Sequence, residues 1–199
     1  MNYYLFSGKN APKVASAFAP EGTKPIYELI LELDNLNELP FEFELVKLTV
    51  GRNGLIKSND LSNLEVIWLD YQPDNKIGSL FSKKIKTIIT EHLTGNEGID
   101  WLTAKVNGNG EQRTYYIPRF EKMLNVLNFE KCTYNKIAGG VIIPCFSLEK
   151  VKNYSIFHQP DSTEFLWKIP TGLYISETLK KAIQKEKCTG VSFERTWVS

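Results

Sequence analysis

One local pattern constrains this chain more than any other, and it occurs twice. From Pro170 to Ser199 the sequence reads as strand, capped helix, turn and strand. Leu173-Tyr174-Ile175 is a short apolar strand. Ser176 stands at an N-cap position, where its hydroxyl can accept an N–H of the first helical turn, a bond worth about 1 kcal/mol. Glu177 opposes the positive end of the helix dipole. Leu179, Ala182 and Ile183 then recur at helical spacing, while Lys180, Lys181, Gln184 and Lys185 fill the wet face. Thr189-Gly190 stops the helix, and Val191, Phe193 and Trp197 predict a closing strand. Between Lys76 and Val106 the same order returns: Gly78 aligns with Gly172, Ser82 with Ser176, Ile85 with Leu179, Lys86 with Lys180 and Ile89 with Ile183. Thr94-Gly95 answers Thr189-Gly190, and Ile99 and Trp101 answer Val191 and Phe193. Two similar units, or two ordinary capped helices built from the same few residue types, would both give this pattern. Either way the fold class is α+β: mixed or antiparallel sheets with a few packed helices.

At 199 residues the chain is expected to be a single globular domain, or two strand–helix–strand lobes, about 1–114 and 115–199, packed together. A hydrophobic content of 42% suffices for a proper core. The net charge of +1 offers no overall field for nucleic acid or membrane. Cys132, Cys145 and Cys188 are an odd set with no close pair, which suits a reducing compartment rather than a disulfide framework. The opening MNYYLFSGKN lacks the basic start and apolar core of a signal peptide, and no apolar run approaches a membrane span. A cytoplasmic location is expected.

The rest of the chain is read element by element. Tyr3–Phe6 is a strand, and Val14–Ala19 a short helical turn. Ile26–Asp34 is ambiguous. Ile26, Leu29, Ile30 and Leu33 fit a helix after Pro25, whereas Tyr27, Leu29, Leu31 and Leu33 fit a strand. The alternation that follows tips the reading toward strand. Phe41, Phe43 and Leu45 share one face and Val46, Leu48 and Val50 the next, a phase shift that a β-bulge would produce. Gly51-Arg52-Asn53-Gly54 is a turn, Leu64–Leu69 a strand and Asn107-Gly108-Asn109-Gly110 a hairpin. Tyr115–Ile117 is extended, and Pro118 opens a helix to about Phe129. Val141–Phe146 is a buried strand, Ser147 caps one helical turn, Ile156-Phe157 is a strand, and Asp161–Trp167 is a surface connection.

Chemistry is sparse. His92 and His158 have no metal-ligand spacing around them, and no C-x-x-C, G-x-S-x-G or phosphate loop is present. No catalytic, metal or cofactor site is expected, and His92 reads as a core-edge histidine. A dispersed enzyme site built from Cys145, His158 and Asp161 is the alternative. Lys83, Lys84 and Lys86, and Lys180, Lys181, Lys185 and Lys187, read as solvated helix faces. Acidic charge is better organised. Glu28, Glu32, Asp34, Glu38, Glu42 and Glu44 lie between Pro25 and Val46 with no basic residue among them, giving −6 there against +7 elsewhere. All six occupy even-numbered positions, so two strands would project many of them from one sheet face. A solvated outer face and a patch for a basic partner fit this equally well.

In the second half, Tyr115-Tyr116-Ile117-Pro118-Arg119-Phe120 is followed by Val126-Leu127-Asn128, Glu130-Lys131-Cys132, Ser147-Leu148-Glu149-Lys150-Val151 and Ile156-Phe157. The closing run is Leu173-Tyr174-Ile175-Ser176-Glu177, Leu179-Lys180, Thr189-Gly190-Val191 and Phe193-Glu194. This order resembles the immunity proteins of bacterial polymorphic toxin systems, in the families numbered eleven and forty-three. It departs from them at Cys132-Thr133, where a Ser would be usual, and at Cys188, where an apolar residue would be. The shared motifs are structural and carry no catalytic residue across. The resemblance implies a cytoplasmic protein that binds and neutralises one cognate toxin domain, often a nuclease or another enzyme. A non-enzymatic inhibitor is expected, and the charge pattern makes the six acids the surface expected to meet the toxin. A protein-binding adaptor is the remaining expectation.

Overall fold

The computed structural model describes residues 1–9, 14–52, 54–135, 141–160 and 166–199. In chain order the elements are β1 (Tyr3–Gly8), β2 (Ala15–Phe18), α1 (Ile26–Glu32), β3 (Phe43–Gly51), β4 (Gly54–Ser58), β5 (Tyr71–Gln72), β6 (Leu80–Phe81), α2 (Lys83–His92), β7 (Ile99–Gly108), β8 (Glu111–Phe120), β9 (Thr133–Tyr134), β10 (Val141–Ile143), α3 (Leu148–Val151), β11 (Ile156–His158), β12 (Leu173–Ser176), α4 (Glu177–Lys185) and β13 (Val191–Arg195). A seven-stranded sheet has the order β2-β3-β7-β8-β6-β5, with β4 also on β3; a four-stranded sheet has the order β11-β12-β1-β13. The β3–β7 pair is parallel and the other ladders are antiparallel. The chain is α+β with mixed and antiparallel sheets, as its sequence leads one to expect.

The two similar units fold the same way. Both β6 and β7 are antiparallel to β8, so they run parallel to each other with β8 between them. Likewise β12 and β13 run parallel with β1 between them. Each unit is a split β-α-β, a strand–helix–strand whose two strands admit a third from elsewhere. The registers coincide: Phe81, Tyr116 and Thr103 stand abreast in one unit, and Ile175, Tyr4 and Arg195 in the other. The side chains coincide as well. Lys86 lies 4.2 Å from the Tyr116 ring centroid and 5.9 Å from that of Trp101. Lys180 lies 3.6 Å from Tyr4 and 5.7 Å from Phe193. These lysines, read from sequence as solvated, bury their stems and place their charge over aromatic faces. The division near residue 114 falls inside β8, and β1 supplies the centre of the second unit's sheet.

Both helices start as their sequences dictate. Ser82 Oγ accepts from the Ile85 N–H and Ser176 Oγ from the Leu179 N–H, at 3.4 and 3.3 Å. The helices touch and run in opposite directions, each end tied to the start of the other. Past α4, Thr189 gives its N–H and hydroxyl to the Asp70 carboxylate, which also accepts from the Ser82 hydroxyl. Past α2, Thr94 bonds the fully buried Glu97, which accepts the Ser155 N–H, while the Ser155 carbonyl accepts the Ser176 N–H. One apolar cluster, including Tyr3, Phe6, Phe81, Ile85, Ile89, Leu179 and Ile183, fills the space these elements share. A second cluster, including Leu29, Ile30, Leu33, Phe43, Leu102, Val106 and Ile117, lies between the large sheet and α1.

Several elements differ from the sequence reading. Ile26–Glu32 is helical, continued by a 3-10 turn over Leu33–Asn35. Leu29, Ile30 and Leu33 are buried while Tyr27 and Leu31 face out, so the helical phase wins. Arg119 closes the end of this helix, donating to the carbonyls of Leu33, Asp34 and Leu36 while it pairs with Asp100. Val14–Ala19 contains strand β2 in place of a helical turn, because β3 offers it a ladder. Pro118 opens no helix; it continues β8 opposite Trp101. Counting from the Gly108–Glu111 pair that closes the hairpin, Trp101–Pro118 is a non-hydrogen-bonded position, where a missing N–H costs nothing toward β7. Leu64–Leu69 makes only an isolated bridge between Val66 and Val14, and the Leu69 N–H goes to the buried Gln72 side chain. Val141–Phe146 is not a buried strand: among the described residues β10 pairs only with the two-residue β9, and Ile142 and Ile143 are exposed. Only Cys145 and Phe146 of that run are buried. No bulge interrupts β3 against β2. Leu45 and Val46 are both buried because both sheet faces are covered there. Ser147 precedes α3 without a side-chain cap bond. Asn53 and the first residues of the Asp161–Trp167 connection lie outside the described residues.

The Asn109-Gly110 hairpin has positive φ at both central residues, the twist that a two-residue β-turn requires. The matched Thr-Gly stops allow a test. Gly95 and Gly190 both have positive φ, but a Cβ at 95 meets nothing within 4 Å, whereas one at 190 would lie 2.5 Å from the Tyr71 carbonyl oxygen. Gly95→Ala should cost about 1 kcal/mol of conformational strain. Gly190→Ala should cost at least about 3 kcal/mol, because backbone must move as well. Urea unfolding of the two variants measures the difference, and equal midpoints would contradict this packing.

Candidate partner interface

The six acids of the basic-free segment are carried by four different kinds of element. Glu28 and Glu32 sit one turn apart on α1, both exposed, and Glu32 pairs with Lys24. Asp34 lies in the 3-10 turn and holds Lys168, whose side chain is mostly covered. Glu38 is in the loop that follows, Glu42 immediately precedes β3, and Glu44 is in it. The even-number rule therefore fails for the first three, since a helix sorts residues by a period of 3.6 rather than 2.

Glu38, Glu42 and Glu44 do come together, on the outer face of β3, β7 and β8. Lys105 on β7 lies 2.9 Å from Glu38 and 4.0 Å from Glu42. Asn107 donates to Glu42 at 2.8 Å and to Glu44 at 3.0 Å, and Gln112 donates to Glu42 at 3.1 Å. Residues 102, 104 and 106 of β7 point into the core, so 103, 105 and 107 are left for this outer ribbon. Two carboxylates thus flank one ammonium, with Glu44 joined to them through Asn107, and Glu38 beside it holds Lys105 above its usual pKa range. Next to them a cleft of about 440 Å³ is bordered by Glu44, Asn107, Glu111, Gln112, Asn59 and Leu61. Glu111 belongs to this surface but lies far from the acidic segment in sequence, which is why a scan for charge runs misses it. It is paired with Arg113 at 2.8 Å.

The dispersed catalytic alternative meets a different geometry. His158 is fully buried. Its Nε2 accepts the Leu124 N–H at 3.3 Å and its Nδ1 donates to the Gln159 carbonyl at 2.9 Å, so both ring nitrogens are engaged by backbone. Phe120 and Trp167 cover the ring. Cys145 is also buried, with its Sγ 3.4 Å from Ser199 Oγ. Asp161 lies outside the described residues. His92, on α2, bonds the Ile88 carbonyl through Nδ1 at 2.8 Å. Among the described residues, no three His, Cys, Asp or Glu side chains are placed to hold a metal ion. A wider cleft of about 750 Å³ between α2 and α4 mixes charges, with Lys83, Lys84 and Lys185 beside Glu91 and Glu186. No helix of the described residues is long and apolar enough to cross a membrane.

No protein-family model matches this chain, and no curated protein sequence matches it.

Burial lowers the His158 pKa from its ordinary value near 6.5. The unfolded chain then binds the proton more readily, so His158 supports folding above that value and ceases to as the pH falls below it. Urea midpoints should decline between about pH 7 and pH 5, and His158→Gln should flatten that decline. An identical slope in the variant would show that this ring does not carry the pH dependence.

Proposed function

We propose that this protein binds and neutralises a cognate toxin domain with a basic surface, such as a nuclease, and does so without catalysis or a cofactor, in the cytoplasm. The reading rests on the resemblance of its second half to immunity proteins and on one observation: Glu38, Glu42 and Glu44 converge on one sheet face, the first two beside Lys105 and the last two bridged by Asn107. A nuclease must present cations where phosphodiester groups sit. Carboxylates fixed two residues apart at the start of β3, with Glu38 beside them, can occupy those positions and exclude the substrate. Such complementarity speeds encounter and rejects wrong partners, and it weakens as salt rises. Glu28 and Glu32 on α1 extend the same sign of charge. Asp34, already engaged by Lys168, serves the fold in this reading more than the partner.

Co-expression is the direct test. The gene next to this one is expressed with and without this protein; restored growth together with a co-purified complex supports neutralisation. A harmless neighbour, or rescue without a complex, removes the reading, and a complex without toxicity favours an adaptor. Reversing Glu28, Glu32, Glu42 and Glu44 together to Lys should weaken the complex by more than about 2 kcal/mol, roughly 30-fold in Kd, with the salt dependence reduced. Unchanged affinity in a folded variant would exclude this surface.

A further inference from the structure

Strand β4 has a single neighbour. It pairs with β3 from Lys47–Ser58 to Gly51–Gly54 and with no other strand among the described residues. Beyond Lys47, where β2 stops, β3 and β4 continue as a two-stranded ribbon. Such a ribbon is marginal in water by itself, and exposed strand edges are usually blunted with charge. This one presents aliphatic side chains instead: Val50 is 84%, Leu55 67% and Ile56 57% exposed. Val50 and Leu55 stand directly opposite each other on one face, and Ile56 opposite Thr49 on the other. Gly51 has Ile56 folded over it; a Cβ there would lie 2.6 Å from Ile56 Cδ1. Lys57 turns back to lie 4.4 Å from the Phe18 ring centroid, steadying the base. Arg52 sits at the turn.

The foot of the ribbon adjoins the acidic surface. Asn59 and Leu61, just past β4, share the 440 Å³ cleft with Glu44 and Glu111. Apolar ribbon, cleft and carboxylates are therefore one continuous tract. We propose that the ribbon over 48–57 is the apolar anchor of the protein's interface with a basic protein domain. Val50, Leu55 and Ile56 enter an apolar recess of the partner while Glu38, Glu42 and Glu44 meet its cations. This inference rests on the neutralisation reading and names the part of the surface that supplies residence time. Charge selects the occupant. An anionic membrane would be repelled by Glu42, Glu44 and Glu111 at the foot of the ribbon, with Arg52 and Lys57 the opposing charges along it. A basic protein satisfies both halves of the tract, giving the apolar centre and charged rim of a stable interface.

The probe is the purified toxin domain encoded by the adjacent gene, with this 199-residue chain. Val50→Ser, Leu55→Ser and Ile56→Ser combined should raise Kd at least about 30-fold, mainly through faster dissociation, with the salt dependence kept. Glu42→Lys with Glu44→Lys should slow association and reduce the salt dependence. If the aliphatic variant binds as the parent does while the acidic variant weakens, the anchor is overturned and neutralisation stands. If the parent protein does not bind the toxin domain at all, both fall. A ribbon-dependent dimer in light scattering, with toxin affinity unchanged, would assign the ribbon to self-association and overturn the inference. Hydrogen exchange on the parent protein needs no variant: protection of amides in 48–57 on complex formation is expected, and unchanged exchange there refutes the anchor.

Discussion

The Asp70 carboxylate is the interaction on which the rest of the structure hangs. It accepts the Ser82 hydroxyl at the start of α2 and both the N–H and hydroxyl of Thr189 beyond α4, while its own N–H donates to Thr189 Oγ1. One side chain thus fixes where one helix begins and where the other ends. The next residue, Tyr71, donates its N–H to the Thr189 carbonyl and packs its ring against Phe6 and Phe81. Polar ties at the rim and aromatic contacts within therefore lock the same pair of units. Neither would hold alone: the hydrogen bonds need the apolar cluster to exclude water, and the cluster needs the ties to keep its strands in register.

What the sequence made legible was what is decided locally. Ser82 and Ser176 cap helices because the donor lies three residues on. The Asn109-Gly110 turn is set by backbone preference, and the Thr-Gly stops by the freedom of glycine. What escaped was decided by distant residues. Nothing near Ile26 says that Arg119 will gather three carbonyls at the end of that helix. Nothing near Pro118 says that β7 will run opposite it at a position asking for no N–H. The repeat was legible as a pattern, but its meaning depends on β8 and β1, which enter each unit from outside.

The acidic surface shows the same division. Charge clustering singled out the segment, yet parity assigned many of its carboxylates to one face. The fold separates them, with Asp34 engaged by Lys168, Glu28 and Glu32 on a helix, Glu38 and Glu42 beside Lys105, and Glu44 held by Asn107. The lysines of α2 and α4 lie on the other unit boundary, two of them over aromatic rings. Acids predominate on α1 and at the start of β3 and lysines on α2 and α4, where Glu91 and Glu177 lie among them, so the charge is unevenly spread despite a net value of only +1.

The place of β1 has a further consequence. Its partners are β12 and β13, and Asn2 bonds Glu177 across 175 residues of sequence. A ribosome adding on the order of 5–20 residues per second releases this strand long before either neighbour exists. For roughly ten to forty seconds Tyr3, Leu5 and Phe6 have no sheet to join. The four-stranded sheet can close only after β12 and β13 have emerged, whereas the β7–β8 hairpin can form as soon as it emerges. The large sheet is thus the earlier half of assembly and the small sheet the later. A nascent chain waiting between them carries an unpaired apolar edge that a chaperone could hold.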